Sequence, residues 1–227
     1  MCSVENMSVE RKAKVHYYPT LEFENRLWSA GYPLVAGLDE AGRGCWAGPV
    51  VAAAIILPAN QEIQNKLSGV RDSKQMTARQ RSYWAEEIKH EAYCFSVGFS
   101  SHEEIDAQGI VAATRQAMMR ALERLKAQPQ FLLLDYILLP CMDLPQLALV
   151  KGDGRVLSIA AASILAKTCR DAWMANMEVQ YPGYGFARNK GYGTSQHRAS
   201  LERKGICPIH RCSFAPIREQ LSGQQAD

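Results

Sequence analysis

The sequence predicts an α/β fold: a mixed five-stranded sheet flanked by helices, followed by a C-terminal helical and irregular segment. Three observations lead there. Apolar runs of strand length recur along the chain, and three of them come early. Helix-period stretches with capping signals separate the later ones. The chain has 227 residues, 47% of them hydrophobic, which is enough for one large core without metal or disulfide staples.

The elements follow in order. Thr20 to Trp28 predicts a short helix with Thr20 as its cap. Leu34–Asp39 reads as a buried strand that ends in acids, and Pro49–Leu57 as a second. A short glycine-rich connection joins them, so they are expected to pair antiparallel. Thr77 and Gln80 form a capping box that opens a helix to about His90, and Ala92–Ser100 is a third strand. Ser101 and Glu104 form a second capping box, with a stop near Gly109. Apolar or small residues at 110, 113, 114, 117, 118, 121, 122 and 125 mark the clearest helix, closed by Pro129.

Phe131–Asp135 is a short strand, again ending in an acid, and Leu147–Val150 is the fifth. The strand–helix–strand passage implies that the Phe131 strand lies parallel to a neighbour. Leu157 to about Gln180 predicts a long helix whose small face, Ala160–Ala162, allows close packing. One more helix is expected over Ser195–Lys204, then an irregular segment. Residues 1–16 read as a frayed extension, 17–218 as the folded unit, and 219–227 as a flexible tail.

Composition narrows the function classes. The seven cysteines are odd in number and lack framework spacing, and no secretory signal is seen, so a reducing cytoplasm is expected. No apolar run approaches the ~18 residues of a membrane span. Net charge is only +3. From Gly183 to Arg218, however, Arg188, Lys190, Arg198, Arg203, Lys204, Arg211 and Arg218 face a single acid, Glu202. That basic C-terminal segment suggests a polyanionic partner, although a plain solvated surface has the same composition.

Asp39 and Asp135 each follow a buried strand, and ligands gather beyond the carboxyl ends of strands in α/β sheets. On parallel neighbours their Cα atoms would sit about 5 Å apart. Carboxylates that close repel unless a proton or cation lies between them, and Mg²⁺ or Mn²⁺ fits an all-oxygen ligand set. Glu40 follows Asp39 and reaches the same site only if the strand ends or bulges there. Asp153, just before the long helix, is either a fourth carboxylate or a turn acid. Gly42-Arg43-Gly44 is not a dinucleotide fingerprint, because the spacing is wrong and another strand follows. Its glycine amides suit close approach to phosphate or sugar, and Arg43 can pair with a phosphate. Cys207, His210 and Cys212 resemble part of a zinc site but supply three ligands where a structural site wants four.

Together the motifs carry a resemblance. Leu38-Asp39-Glu40-Ala41-Gly42-Arg43-Gly44, Ala47-Gly48-Pro49-Val50, Asp72-Ser73-Lys74, Leu132–Asp135, Lys151-Gly152-Asp153 and Ser158–Lys167 occur in order. Arg170-Asp171, Tyr184-Gly185-Phe186, Lys190–Thr194 and His210-Arg211 with Ser213-Phe214 follow. The sequence resembles bacterial ribonuclease HII over residues 17–218. The resemblance implies an RNase H-like fold and four acidic active-site residues, Asp39, Glu40, Asp135 and Asp153. Mn²⁺ or Mg²⁺ is implied as cofactor, with Asp39, Glu40 and Asp135 as metal ligands. It implies RNA–DNA hybrid and ribonucleotide-containing duplex DNA as partners, with Gly42, Arg43, Gly44 and Tyr192 reading the ribonucleotide–DNA junction. Lys74, Lys190 and Arg211, with Arg43, are the phosphate candidates, unless they are ordinary surface cations. A monomer is expected. Cys45-Trp46, Tyr136 and Asn189 depart from the family pattern, and Tyr136 adds bulk beside Asp135.

Overall fold

The computed structural model describes residues 18–223. The expected N-terminal extension and residues 224–227 of the expected tail lie outside the described residues. In chain order the first elements are α1 (Glu22–Ser29), β1 (Val35–Ala41), β2 (Val50–Ile56), α2 (Glu62–Lys66), α3 (Ala78–Glu91) and β3 (Cys94–Ser100). Next come α4 (His102–Gln108), α5 (Ile110–Glu123), β4 (Phe131–Asp135) and β5 (Gln146–Leu149). The last are α6 (Leu157–Gln180), α7 (Phe186–Asn189), α8 (Ser195–Lys204) and α9 (Ala215–Gly223).

The sheet order is β3-β2-β1-β4-β5. β1 pairs antiparallel with β2 and parallel with β4, and β4 pairs parallel with β5. The mixed five-stranded sheet is therefore the one the apolar runs imply. β2 lies between two strands and under helices on both faces, and all seven of its residues are buried. A strand covered on both faces has no use for alternation, which is why Val50–Ile56 is continuously apolar. α5 lies on one face, burying Ala113, Ala117, Met118 and Ala121 against Ala52, Ala54 and Ile56. α6 covers the other, with Ala160, Ala161 and Ala162 among the residues packed near Ala53 and Ile55. The approach is so close that a Cβ at Gly37 of β1 would strike Ser158 of α6. Small residues on both elements set the helix–sheet distance, and the longer Ile55 and Ile56 side chains contribute about 1.5–3 kcal/mol each by full burial.

Both capping boxes form. Thr77 caps α3 with Gln80, and Ser101 caps α4 with Glu104. Leu21 is the residue just before α1, and Thr20 serves the helix from one position earlier: its Oγ1 accepts from the Glu22 amide at 3.4 Å, while its backbone bridges Val156. The C-terminal segment is also more regular than its composition implies. α9 spans Ala215–Gly223 and includes the first part of the expected tail, with Pro216 in its first turn and Ile217 fully buried. That one apolar anchor docks it onto a cluster with Phe186, Leu201 and Ile209.

Candidate active site

The register of β1 and β4 builds the centre of the site. Leu38 pairs with Leu134, so Asp39 and Asp135 are the next residues along two parallel neighbours. Asp153 comes from the 3-10 turn Gly152–Gly154 between β5 and α6. The Gly152 amide donates to Asp135 Oδ1 at 2.8 Å, which locks that turn to the end of β4. One carboxylate oxygen from each of Asp39, Asp135 and Asp153 lies within 4.8 Å of the other two.

Glu40 stands apart from this converging set. β1 continues through Ala41, so Glu40 is not one of the three converging oxygens, yet its charge still raises Asp39 and feels Asp135 and Lys74. Its Oε1 accepts from Arg43 Nη1 at 3.2 Å, while its Oε2 is buried with no hydrogen-bond partner.

The site carries strong unfavourable charge. Burial, then the Glu40 carboxylate, pushes the Asp39 carboxyl well above the ordinary carboxylate range, with Asp135 adding to the rise. Glu40 is raised by burial against the pull of Arg43. Asp135 is raised by burial, opposed by the Gly152 amide and reinforced by Asp153. Lys74 offers partial relief, with its Nζ 3.5 Å from Asp153 Oδ2. Burial pulls the lysine down, but Asp153, Asp39 and Asp72 together outweigh it and raise its pKa. Converging hard oxygens, raised carboxyls and an orphaned buried Glu40 oxygen fit a divalent cation.

A loop surface adjoins the acids. Gly42 has φ +96°, and a Cβ there would collide with the Arg170 guanidinium, so only glycine fits. Arg170 is fully buried and donates to the carbonyls of Pro49, Ala47 and Lys190. It thereby ties the Gly42–Gly48 loop to the Lys190–Tyr192 turn. The Trp46 amide donates to Gly191 O at 2.8 Å across the same seam. Tyr192 sits at this junction with 41% of its surface exposed and its ring 5.5 Å from Lys167 Nζ.

Arg211 corrects an expectation. It is fully buried, and its guanidinium donates to the carbonyls of Gly48, Arg43 and Gly42. Burial holds its pKa down at about 10. It shapes the loop from beneath and presents no donor to an outside phosphate. Arg170 plays the same kind of part and was not singled out among the candidates, because a buried arginine carries no distinguishing mark in sequence. Lys190 lines an open groove with Arg81, Lys167, Arg188 and Tyr192. Its Nζ donates to the Asp171 carbonyl, while Arg81 and Lys167 share the Asp171 carboxylate. Cations outnumber acids there.

Among the described residues, Cys207, His210 and Cys212 are not gathered into a group placed to hold an ion. His210 Nδ1 accepts from the Cys207 amide at 2.8 Å, and its Nε2 faces His197 at 3.0 Å. Among the described residues, the group of His, Cys, Asp and Glu side chains placed to hold an ion is Asp39, Asp135 and Asp153. Among the described residues three non-glycine residues have positive φ, and each adjoins a site element: Tyr136 follows Asp135, Lys151 precedes the Asp153 turn, and Lys190 precedes Gly191-Tyr192. Strain of this kind collects where a site dictates the backbone path.

Comparison with known proteins agrees with the geometry. A family model described as Ribonuclease HII matches residues 36–217. A ribonuclease HII of Desulfitobacterium hafniense is 50% identical over 201 residues, covering 88% of this chain and 76% of that protein. One from Geobacillus thermodenitrificans is 45% identical over 221 residues, covering 97% and 83%. The crystal structure of ribonuclease H2 from Pyrococcus horikoshii OT3 superposes with a TM-score of 0.73 at 25% identity, covering 85% of this chain and 99% of that one. Bst-RNase HIII, solved in complex with Mn²⁺, shares the fold at a TM-score of 0.62 and 18% identity, covering 86% of this chain and 71% of that one. With half its residues shared with such a relative over most of its length, the chain belongs to the ribonuclease HII family.

Proposed function

We propose that the chain hydrolyses the RNA strand of RNA–DNA hybrids and incises on the 5′ side of ribonucleotides embedded in duplex DNA. The products would carry 5′-phosphate and 3′-hydroxyl ends. The observation that carries this reading is the convergence of Asp39, Asp135 and Asp153 oxygens within 4.8 Å, beside a glycine loop open to a sugar–phosphate. Asp39, Asp135 and Asp153, with Glu40 beside them, would hold Mn²⁺ or Mg²⁺, which when bound supplies an acidified water and positive charge for the leaving oxygen.

The remaining work falls to the chain's own groups. Lys74 places a fixed cation next to Asp153, where phosphate charge would be brought in. Gly44 lies open, with nothing near its Cβ position, so a ribose can approach the backbone there. Backbone groups of Gly42–Gly44 would bond the 2′-hydroxyl, the feature that distinguishes RNA from DNA. The half-exposed Tyr192 ring would pack on the adjoining sugar. Arg43, one-third exposed, can exchange Glu40 for a phosphate. The Arg81–Lys167–Lys190 groove would follow backbone phosphates without reading bases. Among the described residues no helix is long and apolar enough to cross a membrane.

The test uses three labelled substrates: a DNA duplex with one ribonucleotide, the same duplex without it, and a long RNA–DNA hybrid. With Mg²⁺ or Mn²⁺ the first should be cut 5′ of the ribonucleotide and the hybrid at many positions. The all-DNA duplex should survive, and EDTA should stop cleavage. Cutting of the all-DNA duplex, or cleavage indifferent to EDTA, overturns the reading.

A further inference from the structure

His197 and His210 are almost wholly buried, at 0% and 1% exposure, and they face each other through their Nε2 atoms at 3.0 Å. Neither forms a salt bridge among the described residues. The rings of Trp46, Phe186 and Tyr184 pack around them at 5.2–5.8 Å. None of this is needed for phosphodiester chemistry, yet the pair reaches the substrate-facing surface through one bond. His197 Nδ1 lies 3.0 Å from the carbonyl oxygen of Tyr192.

The partners fix where the protons are. A carbonyl oxygen only accepts, so His197 Nδ1 carries a hydrogen and donates to Tyr192 O. A neutral His197 then has a bare Nε2. At the other end the Cys207 amide, which only donates, points at His210 Nδ1 from 2.8 Å. His210 Nδ1 is therefore bare and its hydrogen sits on Nε2, aimed at the bare Nε2 of His197. The Cys207 carbonyl, also 3.0 Å from His210 Nδ1, already accepts the His210 amide. With both rings neutral, this pair of tautomers matches a donor to an acceptor at all three contacts in line: Cys207 N–H to His210 Nδ1, Nε2 to Nε2, and His197 Nδ1 to Tyr192 O. The chain of donors runs Cys207 N–H, His210, His197, Tyr192 O.

The far end of that chain is a strained turn. The Tyr192 carbonyl also accepts from the Thr194 amide at 2.8 Å, and Thr194 Oγ1 accepts from the His197 amide at the start of α8. Lys190 and Gly191 just before it both have positive φ. We propose that His197 and His210 are positioning residues for substrate recognition: a neutral imidazole pair whose single directed proton chain fixes the Tyr192 carbonyl and hence the ring above it. This rests on the reading that Tyr192 packs on the substrate sugar. The pair touches no substrate. It decides whether the turn holds the Tyr192 ring in one place.

Two conservative variants separate positioning from packing. His197→Asn keeps an N–H at the Nδ1 position and removes the nitrogen facing His210. His197→Gln keeps a polar group opposite His210 and removes the donor to Tyr192. The measured quantity is kcat/KM on the single-ribonucleotide duplex divided by kcat/KM on a long hybrid, alongside Tm. His197→Gln should lower the ratio about tenfold, while His197→Asn stays within about threefold of the parent, as expected for one hydrogen bond kept or lost. Equal ratios in the two variants, or ratios that merely track Tm, overturn the proposal. Nitrogen-15 spectra of the unaltered protein give a second readout that no folding failure can obscure. They should show His197 protonated at Nδ1 only and His210 at Nε2 only near pH 7, and any other pattern overturns it. Tyr192→Ala tests the underlying reading by itself. If that variant leaves the ratio unchanged, the role given to Tyr192 fails. The proton chain is then judged by hydrogen exchange at Tyr192–Thr194, which should quicken in His197→Gln and not in His197→Asn; equal exchange in both overturns it.

Discussion

Arg211 donates from Nη1 to the carbonyl oxygen of Arg43 at 2.9 Å, across 168 positions of sequence. The same guanidinium serves Gly48 O and Gly42 O, so one side chain satisfies three carbonyls of the loop placed against the substrate. A lysine has the charge but not the fork, and it can reach one of the three. Arg211→Lys should therefore cost about 2–4 kcal/mol in stability, from carbonyls left unpaired in a buried setting. Chemical denaturation would measure this, and cleavage of every substrate should fall with it. A surface phosphate contact behaves oppositely: stability would hold, and only salt-dependent affinity would weaken. That outcome would return Arg211 to the phosphate candidates.

Among the described residues Asp39 forms no ion pair, and its carboxyl is held well above the ordinary range by burial and by Glu40. Without a divalent ion the buried charge opposes folding, so Asp39→Asn should equal or exceed the parent in Tm when EDTA is present. Adding Mn²⁺ or Mg²⁺ should raise the parent's Tm by linkage and raise the variant's much less. Turnover by the variant should vanish while hybrid binding persists. A variant whose Tm rises with the ion as much as the parent's would remove Asp39 from the ion's ligands.

The sheet and the acids were legible for one reason. Continuous apolar runs such as Val50–Ile56 reflect burial on both faces, and an acid ending such a run, as Asp135 does, marks the sheet's carboxyl edge. Capping boxes at Thr77 and Ser101 were legible because their chemistry is local. What failed depends on contacts distant in sequence. Arg211 has the composition of a surface cation, but loop carbonyls some 165 positions away draw it inside.

Tyr136 carries its backbone at φ 63°, and the Ile137 amide closes a three-residue turn onto Asp135 O at 2.7 Å. A classical γ-turn of this kind is strained for any residue with a Cβ. Glycine there removes roughly 1 kcal/mol of strain and returns a similar amount as chain entropy, so Tyr136→Gly should change stability by less than about 1 kcal/mol. A β-branched residue fits left-handed backbone worst, so Tyr136→Val should be clearly less stable than either. Because the turn begins at Asp135, Val should also lower cleavage more than Gly does. Equal stability of the Val and Gly variants would show that the position is not held left-handed.

Burial pulls the His210 pKa from its ordinary 6.5 to about 4, and His197 is lowered as well. Between those pH values the unfolded chain binds a proton that folded His210 refuses. The stability this group contributes is full above pH 6.5 and is lost as pH falls through about 4, for a total of roughly 3 kcal/mol. The acidic cluster works in the opposite sense, because the raised carboxyls of Asp39, Glu40 and Asp135 favour the folded state as protons are added. A single pH–stability curve therefore mixes the two. Subtracting the curve of His210→Gln, measured by denaturation in EDTA, isolates the imidazole. The parent should lose stability relative to the variant from pH 6.5 downward. Parallel curves through that interval would mean that folded His210 takes up a proton as readily as the unfolded chain does, and that burial does not hold the pair neutral.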